Sequence, residues 1–157
     1  MNEPDRIRQA LEAARTVAVV GCSPDPRRPS NEIARYLQSQ GYRVVPVNPG
    51  HREILGETCY PSLSRIPTDV AVDIVDVFRR SEHVAGIADE AIARKVPFLF
   101  MQLGVEDPAA ARRLEAAGIG VAMNRCILVE HRGHRVAAKS RNAGGPAGVS
   151  SMSRQGT

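Results

Sequence analysis

Ten residues, GCSPDPRRPS at positions 21–30, carry the strongest chemical signal in the sequence. They follow the β-branched run TVAVVG at 16–21 and precede a helical pattern, so they read as a strand-to-helix turn. Gly21 lets the backbone turn tightly and approach a ligand closely. The helix beyond it offers unpaired N–H groups and the positive end of its dipole, which suit a phosphate. Ser23 and Ser30 add hydroxyls, and Arg27 and Arg28 can grip phosphate oxygens in a bidentate way. The competing reading is an ordinary strand–helix loop with solvated arginines.

The turn is not a dinucleotide fingerprint. G-x-G-x-x-G aligned on Gly21 needs glycine where Ser23 and Pro26 stand. The acid that would hold a ribose diol at the end of the second strand is replaced by Asn48-Pro49. No G-K-[ST] is present for a nucleoside triphosphate. The pattern favours a phosphorylated ligand other than NAD bound in the usual manner.

Other candidate chemistry is weaker. Cys22, Cys59 and Cys126 form no C-x-x-C pair, and with four scattered histidines they indicate neither a zinc site nor a disulfide framework. Cys22 lies in the phosphate turn, where a helix dipole and Arg27 or Arg28 would lower its pKa. Asp73 and Asp76 interrupt an apolar run and read as strand-end polar contacts sharing one face. His134 reads as a solvated residue. No Ser-His-Asp order or pair of catalytic carboxylates emerges, so no catalytic residue is assigned.

The elements that must position the turn alternate along the chain. A short amphipathic helix over 5–14 precedes the first strand. Ser30 is expected to cap a helix over 31–40 that ends at Gly41, and YRVVPVN at 42–48 reads as the second strand. A short strand is expected near 57–60, and VAVDIVDVF at 70–78 reads as a further strong strand. Ser81 is expected to cap a helix carrying Val84, Ile87, Ala88, Ala91 and Ile92 on one face. PFLFMQLG at 97–104 is a strand, Asp107-Pro108 opens a helix running to Gly118, and IGVAM at 119–123 is a final strand. NRCILVEH at 124–131 turns back over the core as a helix. Strands separated by helices predict βαβ units with right-handed crossovers. The fold class is therefore α/β: a Rossmann-like, doubly wound, mainly parallel sheet in three αβα layers.

Length and charge agree with one domain. The 157 residues are 43% hydrophobic and 24% charged, the balance of a globular chain. The net charge of +4 comes from residues 132–157, where Arg132, Arg135, Lys139, Arg141 and Arg154 face no acid; the remaining 131 residues hold 16 bases and 17 acids. With no Trp and six Phe plus Tyr, the core lacks the stacking surface of a nucleic-acid binder. No apolar run approaches a membrane span, and the charged N-terminus has no signal-peptide core, so a cytoplasmic location is expected. The organisation expected is a domain over 1–137 and a flexible basic tail over 138–157.

Five motifs in register, GCSPDPRRPS (21–30), YRVVPVNPG (42–50), VDIVDVFRR (72–80), MQLGV (101–105) and MNRCILVEH (123–131), together resemble the small stand-alone CoA-binding proteins of bacteria and archaea. These are related to the CoA-binding domain of succinyl-CoA synthetase and similar acyl-CoA ligases. The resemblance runs from about residue 12 to 135 and departs at Phe100, where relatives often carry Trp.

The resemblance implies a Rossmann-like domain and coenzyme A as the ligand, held by loops at the carboxyl edge of the sheet. Gly21, Cys22, Ser23, Arg28, Pro29 and Ser30 match the loop that lies against the phosphates. Asn48 and Pro49 match the turn beside the adenosine end. Val77, Phe78 and Arg79 match the loop after the third main strand, and Gln102 with Gly104 matches the next. An acid at position 48 would repel a 3′-phosphate, so Asn48 fits such a ligand. Phe78 is either a packing surface for adenine or the pantetheine arm, or a core residue at a strand end.

The expectation is a protein that binds CoA or an acyl-CoA without catalysis of its own. The alternatives are the CoA-binding component of an acyl-CoA ligase or transferase completed by a partner chain, and an NAD(H)-binding redox sensor. A thiolate at Cys22 would suit a mixed disulfide with the thiol of CoA.

Overall fold

A computed structural model of the protein describes residues 1–140; the greater part of the expected basic tail lies outside the described residues. Helix α1 spans Glu3–Ala13 and is capped by Asn2, whose side chain accepts from the Asp5 N–H at 2.9 Å. Its buried stripe, Ile7 and Leu11, packs on the sheet. Strand β1 follows over Thr16–Val20, and all five of its residues are buried. Such unbroken burial explains why TVAVV lacks polar alternation: a parallel strand in mid-sheet is covered on both faces.

Helix α2 covers Pro29–Ser39 and strand β2 covers Arg43–Val47. A two-stranded hairpin then joins β3, Glu53–Ile54, to β4, Glu57–Thr58. Strand β5 is Ile74–Val77, shorter than the 70–78 expected from the apolar run. Asp73 ends it by turning its carboxylate to the Arg15 and Thr16 N–H groups, at 2.9 and 3.0 Å. Helix α3 (Val84–Arg94), strand β6 (Phe98–Met101), helix α4 (Pro108–Ala116), strand β7 (Gly120–Met123) and helix α5 (Ile127–Gly133) complete the order.

The five main strands are all parallel and lie in the order β2-β1-β5-β6-β7. The chain moves outward from β1 to β2, returns past β1, and then proceeds through β5, β6 and β7. Helices α1, α2 and α5 cover one face, over a core that includes Val17, Val19, Leu37, Phe100 and Ile127. Helices α3 and α4 cover the other, over Val75, Val77, Leu99, Met101 and Leu114. Each fully buried large side chain among these contributes roughly 1.5–3 kcal/mol. The doubly wound α/β sheet expected from the sequence is the fold observed.

Two helix starts differ from expectation. Ser30 does not cap α2: the helix begins at Pro29, no side chain caps it, and the Ser30 hydroxyl accepts from the Ser23 N–H at 2.9 Å. Ser81 does not cap α3 either. It begins a short 3₁₀ turn, Ser81–His83, and its hydroxyl accepts from the Glu106 N–H at 2.9 Å. Both hydroxyls hold neighbouring loops, which the local sequence cannot distinguish from capping. Asp107-Pro108 does open α4 as expected, with the Asp107 carboxylate accepting from the Ala110 N–H at 3.0 Å.

The long connection between β2 and β5 is held by side chains of α3. The Arg94 guanidinium donates to the carbonyls of Leu63, Ile66, Pro67 and Val70, at 3.4, 2.8, 2.7 and 2.9 Å. Glu90 accepts from the N–H and hydroxyl of Ser64, at 3.1 and 2.6 Å. At the other end of the chain, Lys139 is held at the amino-terminal edge of the sheet. Its N–H donates to the Gln40 carbonyl and its ammonium to the Glu12 carbonyl, both at 2.7 Å, while that ammonium lies 5.0 Å from the Tyr42 ring centre.

Candidate functional site

The winding direction reverses between β1 and β5, and in open α/β sheets the crevice outside the carboxyl ends at such a reversal is where ligands bind. Gly21 leaves β1 with φ at +90°, a conformation that L side chains rarely adopt. A Cβ on it would stand 2.7 Å from the Phe78 carbonyl oxygen, so the two loops touch here and only glycine fits. The Gly21 N–H donates to the Val47 carbonyl at 2.9 Å, which ties the turn to the end of β2 as well.

The rest of the turn is built from internal bonds. The Asn31 side chain, 2% exposed, donates to the Ser23 carbonyl at 2.8 Å and accepts from Arg35 Nε at 2.8 Å. The Ser23 hydroxyl accepts from the Asp25 N–H at 3.0 Å. Arg27 folds back onto Asp25 with two guanidinium bonds of 3.1 and 3.0 Å, which hold the Asp25 carboxyl below the usual carboxylate range. Arg28 stands at the cap position of α2, exposed, with Pro29 beside it. Of the two arginines expected to serve a phosphate, Arg27 is thus engaged by Asp25, whereas Arg28 is placed beside the helix N-terminus.

Cys22 differs from an activated thiol. It is fully buried, and burial together with the neighbouring Cys59 pushes its pKa up to about 12. The dipole and arginine invoked for a lowered pKa are outweighed because the side chain points into the core under α2.

Asn48 is committed within the loops. Its Nδ2 donates to the Cys22 carbonyl at 2.9 Å, and its Oδ1 accepts from the Gly50 N–H at 2.9 Å. It therefore fixes the distance between the turns after β1 and β2, with Pro49 exposed beside it. Val77, the last residue of β5, is fully buried, while Phe78 and Arg79 are half-buried at the crevice. After β6, Gln102 is 5% exposed and its Oε1 accepts from the Ile127 N–H at 3.0 Å, so it anchors the start of α5. Gly104 is exposed with φ at +85°, and its N–H donates to Asn124 Oδ1 at 2.8 Å.

All thirteen candidate residues therefore stand at one edge of the sheet, in the loops after β1, β2, β5 and β6, at the end of β5 or in the first turn of α2. Asn31 and Asn124 were missed. Asn31 carried a usable signal, as a polar residue on the inward face of the first helical turn. The shared face expected for Asp73 and Asp76 is wrong: three residues apart on a strand, they point to opposite faces. Asp76 is also no strand-end contact, being fully buried inside β5.

Two surface cavities of about 280 and 430 Å³ open at the opposite edge, and both are bordered by Asp73 and Pro97. Asp73 is the carboxylate already bonded to two backbone N–H groups, so it is not free to serve either cavity. Among the described residues, no cluster of three or more His, Cys, Asp or Glu could hold a metal ion, and no helix is long and apolar enough to cross a membrane.

Residues 15–132 match the model of a family described as the CoA binding domain. The chain belongs to this CoA-binding domain family. It is 38% identical over 133 residues to the uncharacterized protein YneT of Bacillus subtilis, covering 83% of this chain and 97% of that one. A solved structure from Thermus thermophilus shares 38% identity at a TM-score of 0.79, covering 85% of this chain and 99% of the other. The CoA-binding domain chain is also 31% identical over 121 residues to an ADP-forming acetate–CoA ligase of Archaeoglobus fulgidus, covering 72% of this chain and 18% of the ligase. The expected family, stand-alone and related to a portion of acyl-CoA ligases, is therefore the family found.

Proposed function

We propose that this protein binds coenzyme A, free or acylated, across the carboxyl edge of its sheet, and carries out no reaction on it. The observation that supports this most is the meeting of Gly21 with Phe78 at the reversal point, in a chain of the CoA-binding domain family. The closeness of the loops sets the N-terminus of α2 and Arg28 at the crevice, where a pyrophosphate would meet N–H groups, a helix dipole and a guanidinium together. Asn48, neutral and fixed, leaves the β2 side free of negative charge for a 3′-phosphate. Phe78 and Arg79 line the side towards β5.

Calorimetry against CoA, acetyl-CoA, dephospho-CoA and NADH tests this reading. CoA binding more tightly than dephospho-CoA and NADH is the expected result. Tighter binding of NADH would instead favour a redox sensor, and no binding of any CoA species would overturn the proposal.

The similarity to a segment of an acetate–CoA ligase favours one second reading: a CoA-binding component completed by a partner chain. Acetyl-CoA formation from acetate, ATP and CoA, on mixing the protein with the products of neighbouring genes, would establish it. An inactive mixture would leave the non-catalytic reading.

A further inference from the structure

Asp76 is the one carboxylate in the core with neither oxygen hydrogen-bonded among the described residues, and it is 0% exposed. Its neighbours in register are Val19 on β1 and Phe100 on β6, both fully buried and apolar. Strand alternation puts it on the face shared by Ile74 and Phe78, beneath α1, α2 and α5. Among the described residues no cation pairs with it, and an unpaired carboxylate there would cost far more than a protonated one, so it holds its proton. Burial alone raises its pKa well above the ordinary value.

A neutral carboxylic acid that bonds nothing still costs stability, and a valine of similar width would fill the place between Val19 and Phe100 without that cost. The position makes the cost informative. Asp76 lies on β5, one of the two strands flanking the reversal point, and Phe78 is the next residue outward on the same face. Phe78 is half-buried, whereas Asp76 is 0% exposed. Gln102, the corresponding outward residue after Phe100 on β6, is already bonded to Ile127.

We propose that Asp76, as a neutral acid, is a ligand-contacting residue that donates a hydrogen bond to an amide carbonyl of the pantetheine arm when Phe78 swings aside. This rests on the reading of the protein as a CoA binder. The order of the strands supports the choice of the arm. With the phosphates at Arg28 and the adenosine towards Asn48 on β2, what remains of CoA extends towards β5. An acid that keeps its proton donates to a carbonyl, and both amides of the arm supply one.

The test compares wild type, Asp76→Val and Asp76→Asn in calorimetry with CoA and with 3′,5′-ADP, which lacks the arm. Losing one buried hydrogen bond should weaken CoA binding to Asp76→Val about tenfold while 3′,5′-ADP binds as before. Asp76→Asn, which keeps a neutral donor, should stay within about threefold of wild type. Unchanged CoA binding by Asp76→Val overturns the proposal, and so does an equal loss for both ligands. A second measurement needs no folded variant. The infrared carbonyl band of the protonated acid, assigned by isotope labelling of Asp in wild type, should shift on addition of CoA and stay still with 3′,5′-ADP; a band that CoA does not move overturns the proposal. Should wild type bind no CoA at all, the broader reading fails first, and that result is separate from any variant.

Discussion

The Phe78 carbonyl oxygen lies 2.7 Å from the point where a Cβ on Gly21 would stand. This contact joins the ends of β1 and β5, the strands between which the chain reverses its winding. Any side chain at position 21 must push the two loops apart and also adopt φ near +90°.

Gly21→Ala should therefore destabilise the fold by about 1–3 kcal/mol, the range for a non-glycine residue forced into a disfavoured region. Urea denaturation measures the loss. A variant as stable as wild type would show that the loops give way freely, contrary to the tight junction.

Arg28→Ala should weaken CoA binding by about tenfold, as expected for a lost bond to a charged group. Arg27→Ala should change it less than about twofold, because that guanidinium is held by Asp25 in an exposed pair of small energetic value. Calorimetry on both variants decides the matter, and equal losses would mean that Arg27 leaves Asp25 for the ligand.

Alkylation at pH 8 should mark Cys126 first and spare Cys22 until the protein unfolds. Cys126 is partly exposed, whereas Cys22 is buried with a thiol raised to about 12. Peptide mapping after brief iodoacetamide treatment reads the order. Rapid labelling of Cys22 would revive the reactive thiolate and the mixed disulfide with CoA.

His131 and Asp76 should tilt stability against pH in opposite directions. Burial lowers the His131 pKa, with Lys139 adding to it, so between the folded value and the unfolded value near about 6.5 the unfolded chain binds more protons. Stability then falls as pH drops below that unfolded value, and His131→Phe should flatten the slope. For Asp76 the folded pKa is the higher one, so the native state binds more protons and stability falls as pH rises above about 4. Asp76→Asn should remove that decline. Denaturation curves at several pH values test each sign, and a slope unchanged in the variant refutes the corresponding assignment.

Arg94→Ala should cost about 2–4 kcal/mol, since it strips a charged donor from four carbonyls in the connection before β5. CoA affinity should change little, because Arg94 stands at the opposite end of α3 from the crevice. A large loss of affinity at unchanged stability would contradict this structural role.

Local signals carried much of the fold. β1 and β6 were readable because central parallel strands are apolar without alternation, β2 because it is buried throughout after Arg43, and α4 because Asp-Pro sets both a cap and the first turn. Ser30 and Ser81 were misread for one reason: a hydroxyl before a helix bonds whatever N–H comes nearest, and here these belong to Ser23 and Glu106. β5 was overextended because Asp73 ends it through a bond to residues 57 and 58 positions away. At the candidate site, Gly21 announced its turn. The internal duties of Asn48 and Gln102 did not show, since each depends on a backbone group brought near only by folding.

Lys139 gives the molecule a direction. It fastens the end of the described chain beside the last carbonyls of α1 and α2, where Gly41 packs against its backbone. That anchorage is a whole strand length away from the crevice. A label attached at residue 140 itself would sit at the back of the domain, away from the edge where the proposed ligand would bind. Immobilisation through that position would hold the domain by the edge opposite the proposed site.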